Sequence, residues 1–398
     1  MPQAISSIEI AKDNSGEPSF IYLDHAAAAP LKDEVVGKHA ERCRDLFFNP
    51  HSTHQYSENC IRAIESAKEK LLALLGISKS EAEVVWTSGG TESNNLAILG
   101  CTRELRGKEA TVLVERAAHS SVLAPARACV DDGARYLEVP VDGSGLLDLT
   151  ALEGNPDLSQ VLLALCHVNN ETGACQDLTA VRKWLDRNAA DALFVVDALQ
   201  SFTKLDIAWH EAGIDMLSLG GRKIGGPPHV GALVVRRGTP LKPLMFGGGQ
   251  QKGLRPGTVD TVGIVEFVDA AEAASRNQHE KFERISGLRK YLEDNLRNGE
   301  FGAPIMLSAP DSSPYICNFA LPGYEGAIVM RSLAEKNIII ATGSACSAES
   351  ASTSHVLAAM GVDRRTARSA LRISFGDDTT ETTIDRFLDS LREVLENY

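Results

Sequence analysis

From about Ser80 to Arg237 the chain alternates short β-branched, apolar runs with stretches of helical periodicity. Val84-Val85-Trp86, Thr111 to Val114, Val161 to Val168, Leu193 to Val196, Met216 to Ser218 and Ala232 to Val235 each read as a strand. Between them Leu178, Val181, Trp184 and Leu185 fall on one face of a helix. This βα alternation predicts an α/β fold with a mainly parallel sheet covered by helices. A Pro/Gly-rich passage, "RRGTPLKPLMFGGGQQKGLRPGT", follows, and the pattern then changes to longer amphipathic helices around Val262 to Ala274 and Ile285 to Leu296. A last helix carries the apolar stripe Ile384, Phe387, Leu388, Leu391, Val394 and Leu395. The expected organisation is a large domain over residues 25–264 and a smaller α+β domain built from residues 1–24 and 265–398.

Composition narrows the choice of partners. A chain of 398 residues with 43% hydrophobic and 23% charged residues has enough apolar surface for two packed cores. The formal charge of −13 argues against a nucleic-acid or anionic-membrane surface, leaving small molecules and proteins. No apolar run is long enough to span a bilayer. The first twenty residues lack both a basic start with an apolar stretch and an Arg-rich amphipathic pattern, so no targeting segment is expected. The eight cysteines form no CxxC pair, which fits reduced thiols in a cytoplasmic setting.

Ligands of parallel sheets gather beyond the carboxyl ends of the strands, so the polar residues after each apolar run matter most. In "LSLGGRKIGGPPHVGALVV", Lys223 stands between Gly220-Gly221 and Gly225-Gly226. A phosphate loop is excluded, because Ile224, two glycines and two prolines follow where Ser or Thr and a helix are needed. A surface lysine in a turn is the ordinary reading, and a lysine bonded to a carbonyl cofactor is the other. In "VVWTSGGTESNNLAIL" a strand and glycine turn lead through Gly90 into a helix opening at Thr91, which offers backbone N–H groups to an anion. "LFVVDALQS" ends a strand on Asp197 and continues to Gln200, "TVLVERAAHSSVL" places His119 beyond another, and "VLLALCHVNNETGA" places Asn169 and Asn170 beyond a third. Taken singly, each of these serves equally well as a cap or loop residue. Together they supply a Schiff-base lysine, an aspartate for a pyridinium nitrogen, a phosphate cradle and a stacking imidazole, which is the chemistry of a pyridoxal phosphate site.

The motif order resembles the class V, fold-type I pyridoxal phosphate enzymes of the NifS/IscS-like cysteine desulfurase family. The resemblance runs through "YLDHAAAAP", "NPHSTH", "TSGGTESNN", "HVNNETG", "VDALQS", "GGRKIGGPP", "GGGQQKGLRPGT", "GSACS" and "LRISFG", nearly the whole chain. It implies a large domain with a mainly parallel sheet of the seven-stranded type. It also implies that Lys223 binds pyridoxal 5′-phosphate covalently, that Asp197 pairs with the pyridine nitrogen, and that His119 stacks on the ring and serves as an acid/base. Asn170 and Gln200 would lie against the ring and its phenolic oxygen. Gly90 and Thr91 would hold the phosphate, joined by Thr258 from the other subunit of a homodimer. Asn49 and Arg372 would grip the carboxylate of L-cysteine. Cys346 would attack the substrate sulfur, become a persulfide and pass the sulfur to a protein acceptor in iron–sulfur cluster assembly, tRNA thiolation or another sulfur pathway.

Two departures stand out. The family usually has a histidine before the cofactor lysine and a serine two residues before that histidine. Here Arg222 and Gly220 occupy those places, and the expectation is that the Arg222 guanidinium replaces both phosphate contacts. "HAAAAP" also lacks the threonines common in the family, so Ala28 and Ala29 bring no hydroxyls. A selenocysteine lyase or other C–S lyase, and a non-catalytic dimeric binding protein, are the competing readings. The pair His51 and His54 has no further ligand cluster around it, and no metal is assigned.

Overall fold

The structure, a computed structural model, describes residues 20–105, 110–152, 158, 160–343 and 353–398. A two-residue strand, β1 (Ile21–Tyr22), precedes helices α1 (Asp33–Val36), α2 (His39–Asp45) and α3 (Gln55–Leu74). The apolar runs then become β2 (Ala82–Thr87), β3 (Thr111–Glu115), β5 (Val161–Cys166), β6 (Leu193–Asp197), β7 (Met216–Gly220) and β8 (Gly231–Arg236), with β4 (Arg135–Val139) between β3 and β5. These seven form one sheet in the order β2-β8-β7-β6-β5-β3-β4. Only β8 runs against its neighbours, and the pairs from β7 through β4 are parallel.

Every residue of β3, β5 and β7 is buried, as expected of strands covered on both faces. The period of two sorts their side chains. Leu113, Leu163 and Leu165 join one core with α3, α6 (Leu178–Asn188) and α7 (Thr261–Ser275). Val112, Val114, Leu162 and Ala164 join the opposite core with α4 (Gly90–Glu104) and α5 (Ser120–Ala128). Strand β4 was not read from the sequence. It pairs only with β3 at the sheet edge and carries Arg135 and Glu138, a mixture that an edge strand tolerates and an apolar-run criterion misses.

A separate core gathers Leu292 of α8 (Gln278–Asn298), Phe319 of β10 (Ile316–Ala320), Val329 of α9 (Gly326–Glu335), Leu371 of β12 (Ala370–Ser374) and the whole apolar stripe of α12 (Glu381–Glu396). Strand β10 lies between β12 and the short β9 (Ile305–Met306), antiparallel to both, and β1 pairs in parallel with β11 (Ile338–Ile339). Helix α7 belongs to the sheet's core through Ile264, Phe267, Val268 and Ala271. The change from one core to the other therefore falls between α7 and α8, later than residue 265. Helices α10 (His355–Ala359) and α11 (Arg364–Arg368) lie between β11 and β12 in the chain.

Candidate active site

The carboxyl ends of β2, β6 and β7 meet the start of α4. Gly90 allows this, because a Cβ there would lie 2.1 Å from Leu199 Cδ2. A Cβ on Gly220 would lie 3.5 Å from the Gly90 amide nitrogen, which puts the end of β7 against the first turn of α4. Gly89, at φ +146°, turns the chain into the helix, and no side chain caps it. The first-turn N–H groups are left without a side-chain cap beside the exposed Thr91, and with the positive end of the helix dipole they suit an anion such as a phosphate. Arg222 is exposed and makes no side-chain hydrogen bond or ion pair among the described residues; its carbonyl receives the Ala29 amide at 2.9 Å, and its charge acts on Tyr22.

Asp197 closes β6 in a buried position, accepting from the Leu199 amide at 2.9 Å and from Asn94 Nδ2 at 2.7 Å. Burial raises its carboxyl above the ordinary range, against the pull of those hydrogen bonds and of His119 and Lys223. A cationic ring nitrogen placed against it would offset that burial. Asn94 also donates to Ser121 Oγ at 2.9 Å, and Ser121 Oγ lies 2.8 Å from His119 Nδ1. Burial lowers His119. Neither Asn94 nor Ser121 was singled out from the sequence; the only signal was their place beside "TES" and "HS", where serine and asparagine are ordinary capping residues.

Lys223 ends a 3₁₀ turn, and its Nζ donates to the carbonyls of Ala26 at 2.8 Å and Ala27 at 2.6 Å. Gln200 Nε2 donates to the same Ala26 carbonyl at 2.9 Å, leaving its buried Oε1 without a partner among the described residues. "HAAAAP" therefore serves the site through main-chain oxygens, which its composition did not reveal. Lys223 lines a cavity of about 240 Å³ shared with His25, Lys32, Lys204, Tyr315 and Asp377. Burial, helped by the charge of Lys223, pushes Lys204 down to about 8, and its Nζ sits 5.3 Å from the Tyr315 ring centre. Lys204 was also missed, since a lysine after a strand gives no sequence signal of enclosure.

Arg372, on β12, is only 2% exposed. Its Nη2 pairs with Asp24 Oδ1 at 2.6 Å and its Nη1 donates to the Asn170 carbonyl at 2.8 Å, while Nε has no partner among the described residues. Asn169 ties the turn together by donating to the Ala117 carbonyl at 2.9 Å and accepting the Glu171 and Thr172 amides. Asn170 is left without a side-chain hydrogen bond among the described residues. Glu171 accepts from Ser354 Oγ at 2.5 Å, and burial pushes it up to about 7.

Cys346 lies outside the described residues. The segments on either side of it reach this site: Ala341 exchanges main-chain hydrogen bonds with Arg372, Ser354 meets Glu171, and His355 Nε2 donates to the Ala118 carbonyl at 2.9 Å. Two expected residues are not brought to Lys223 within the chain. Asn49 is exposed in a turn, where its Oδ1 accepts the His51 amide at 3.0 Å. Thr258 is exposed and lines a second cavity, of about 340 Å³, with Phe47, Phe48 and His229. His54 caps α3, accepting the Ser57 amide at 3.3 Å.

A mainly parallel seven-stranded sheet whose carboxyl edge presents an anion-ready helix start, a buried aspartate and a tethered lysine defines a fold-type I pyridoxal phosphate enzyme. A sequence model described as aminotransferase class-V matches residues 21–387, and the chain belongs to that family. It is 33% identical over 378 residues to the cysteine desulfurase IscS of Dictyoglomus turgidum, covering 94% of both chains. A solved NifS-like protein superposes with a TM-score of 0.87 at 30% identity, over 95% of this chain and all of that one. The structure of SspA in complex with cysteine superposes with a TM-score of 0.75 at 33% identity, over 89% of this chain and 98% of the other.

Proposed function

We propose that this protein is a cysteine desulfurase that releases L-alanine from L-cysteine and leaves the sulfur as a persulfide on Cys346, for transfer to an acceptor protein. The observation that carries the reading is convergence at one sheet edge: Lys223 held by Ala26 and Ala27, Asp197 held by Asn94, and Arg372 beside the chain that leads to Cys346. A non-catalytic binding protein has no use for a tethered lysine and a buried aspartate at the same strand ends. The relatives named cysteine desulfurase favour the sulfur reaction over other chemistry of the fold.

The first turn of α4 at Gly90 and Thr91, with Arg222, would hold the phosphate. Asp197 would take the ring nitrogen, His119 the ring face, and Gln200 and Asn170 the ring edge. Bound there, pyridoxal phosphate supplies an electron sink that stabilises negative charge at the substrate Cα. Once substrate has replaced it, the Lys223 amine keeps its N–H groups on two carbonyls, which orients its lone pair to take the Cα proton. The Arg372 N–H groups that Asp24 and Asn170 leave free receive the substrate carboxylate, with Asn49 as a second contact. Cys346 thiolate attacks the substrate sulfur; the S–S bond forms, the C–S bond breaks, and its electron pair stays with the carbon skeleton, which is protonated to alanine.

Thr258 lies apart from Lys223 in one chain, which supports a homodimer in which Thr258 of the partner subunit completes the phosphate site. No described helix is long and apolar enough to cross a membrane. The described cysteines, all unpaired, support a cytoplasmic setting, and the acceptor in this reading belongs to iron–sulfur cluster assembly or tRNA thiolation.

The test is alanine and sulfide release from L-cysteine, and alanine and selenide release from L-selenocysteine, by purified protein loaded with pyridoxal phosphate. Cysteine turnover above that of the free cofactor supports the reading. Turnover confined to selenocysteine would make the protein a selenocysteine lyase, and none with either substrate would leave the binding protein. Arg372→Ala is expected to raise KM for L-cysteine by about 10- to 100-fold, through lost charged hydrogen bonds, with a smaller change in kcat. Steady-state kinetics at matched thermal stability checks it, since Asp24 also loses its partner.

A further inference from the structure

We propose that Asn94 and Ser121 are positioning residues that hold His119 as the neutral tautomer with its proton on Nε2, so that the imidazole serves the reaction as a fixed hydrogen-bond donor instead of a base. What His119 faces rests on the desulfurase reading; the tautomer rests on the hydrogen bonds alone.

His119 Nδ1 receives the Ser121 backbone N–H at 3.1 Å. An N–H only donates, so Nδ1 presents its lone pair and the ring proton belongs on Nε2. The Ser121 hydroxyl, 2.8 Å from the same nitrogen, agrees with this assignment. Its oxygen is already engaged by Asn94 Nδ2 at 2.9 Å, which leaves its proton for Nδ1. The other Asn94 amide proton goes to Asp197 Oδ2 at 2.7 Å, and this fixes the amide, because its oxygen would be repelled by the carboxylate. All donors therefore run one way, from Asn94 to Asp197 and through Ser121 to His119. Protonating Nδ1 would set N–H against N–H and turn the hydroxyl away.

The surroundings act in the same direction. His119 is the N-cap of the nine-residue α5, where the positive end of the helix disfavours a cationic ring. Burial is the largest influence on it and favours the neutral form. The charges of Lys223 and His355 add to that, and Asp197 alone opposes them. A neutral ring stacked on a cofactor offers a donor at Nε2 whose direction does not change during turnover. On this proposal His119 acts through its Nε2 proton where an acid/base was expected, and Ser121, two residues further on, is the residue that sets it.

The test is histidine C2-hydrogen exchange followed by mass spectrometry on the holoenzyme across pH, which reads the His119 titration independently of turnover. Wild-type His119 is expected to titrate below the ordinary histidine range. Ser121→Ala is expected to move the midpoint upward by about half a pH unit or more, the effect of one lost hydrogen bond. Ser121→Thr, which keeps the hydroxyl, should restore it, and Asn94→Ala should move it upward again. Because the imidazolium keeps its Nε2 proton, kcat/KM for L-cysteine should show no acid limb that moves with these midpoints; a limb that follows them would mark a base and overturn the donor role. A wild-type midpoint at or above the ordinary range, or one unmoved in both Ser121→Ala and Asn94→Ala, overturns the proposal. Failure of the desulfurase reading would show separately, as no alanine from cysteine whatever the midpoints do.

Discussion

Lys223→Ala is expected to lower alanine release from L-cysteine by about 10³-fold or more, because one residue is removed from two roles. It is the covalent anchor in the proposed site and the amine that takes the Cα proton. Its Nζ is held by the carbonyls of Ala26 and Ala27, and alanine at 223 leaves both without that donor while shortening no strand. The change should be chemical more than structural. The turn at Gly221–Lys223 is set by main-chain bonds, among them Gly221 N to the Val230 carbonyl and Gly226 N to the Gly221 carbonyl, which alanine preserves. The phosphate cradle and Asp197 are likewise untouched, so the variant should still take up pyridoxal phosphate without bonding to it. Borohydride reduction followed by peptide mass spectrometry distinguishes the cases. The wild type should carry the reduced cofactor on the peptide containing Lys223, and the variant should carry none. Activity within tenfold of wild type, or a cofactor fixed to another lysine such as Lys204, would overturn the assignment.

The fold was legible where a strand lies inside the sheet. β5 reads VLLALC, all six residues are buried, and its side chains divide between the two cores as the period of two requires. β4 was illegible because it is half solvated, with Arg135 and Glu138 answering to water as much as to the sheet, whereas β2 at the opposite edge is buried at all but one position and was read. The placement of α7 was illegible for another reason. Its alanine-rich sequence is apolar enough for either core, and only its packing, against α1, α2 and α3 and in the sheet's core, assigns it to the sheet.

At the site, the positions of residues near strand ends were legible, since place after an apolar run is a sequence property; Asp197, Gln200, His119 and Lys223 belong to this class. Residues that act through the main chain were not, because Ala26 and Ala27 contribute oxygens that every residue has. Nor were relations between strand ends: nothing in "TESNN" or "HSS" says that Asn94 bridges Asp197 and Ser121. Thr258 and Asn49 lie on the surface and do not line the cavity of Lys223.

Cys346→Ala is expected to lower sulfur release from L-cysteine by about 10²-fold or more while leaving the cofactor bound and its absorbance responsive to added L-cysteine. The case for this thiol is partly one of exclusion. Reactivity belongs to the thiolate, and burial raises Cys101, Cys129 and Cys166 above the ordinary thiol range, Cys175 up to about 11 and Cys317 up to about 12. Cys60 is fully buried. Cys43 is exposed on α2, but it lines the cavity of Phe47 and Thr258 and not that of Lys223. Cys346 is approached from both sides by chain that touches the site, through Ala341 on the Arg372 strand and through Ser354 on Glu171. Removing its sulfur should therefore separate two halves of the proposed reaction: Arg372 would still bind the substrate carboxylate, Lys223 would still take the Cα proton, and only the acceptor for sulfur would be gone. Mass spectrometry after a single addition of L-cysteine should show one extra sulfur atom on the wild-type peptide that contains Cys346. If desulfuration survives Cys346→Ala at the wild-type rate, the sulfur leaves without a protein persulfide and the enzyme is a direct lyase.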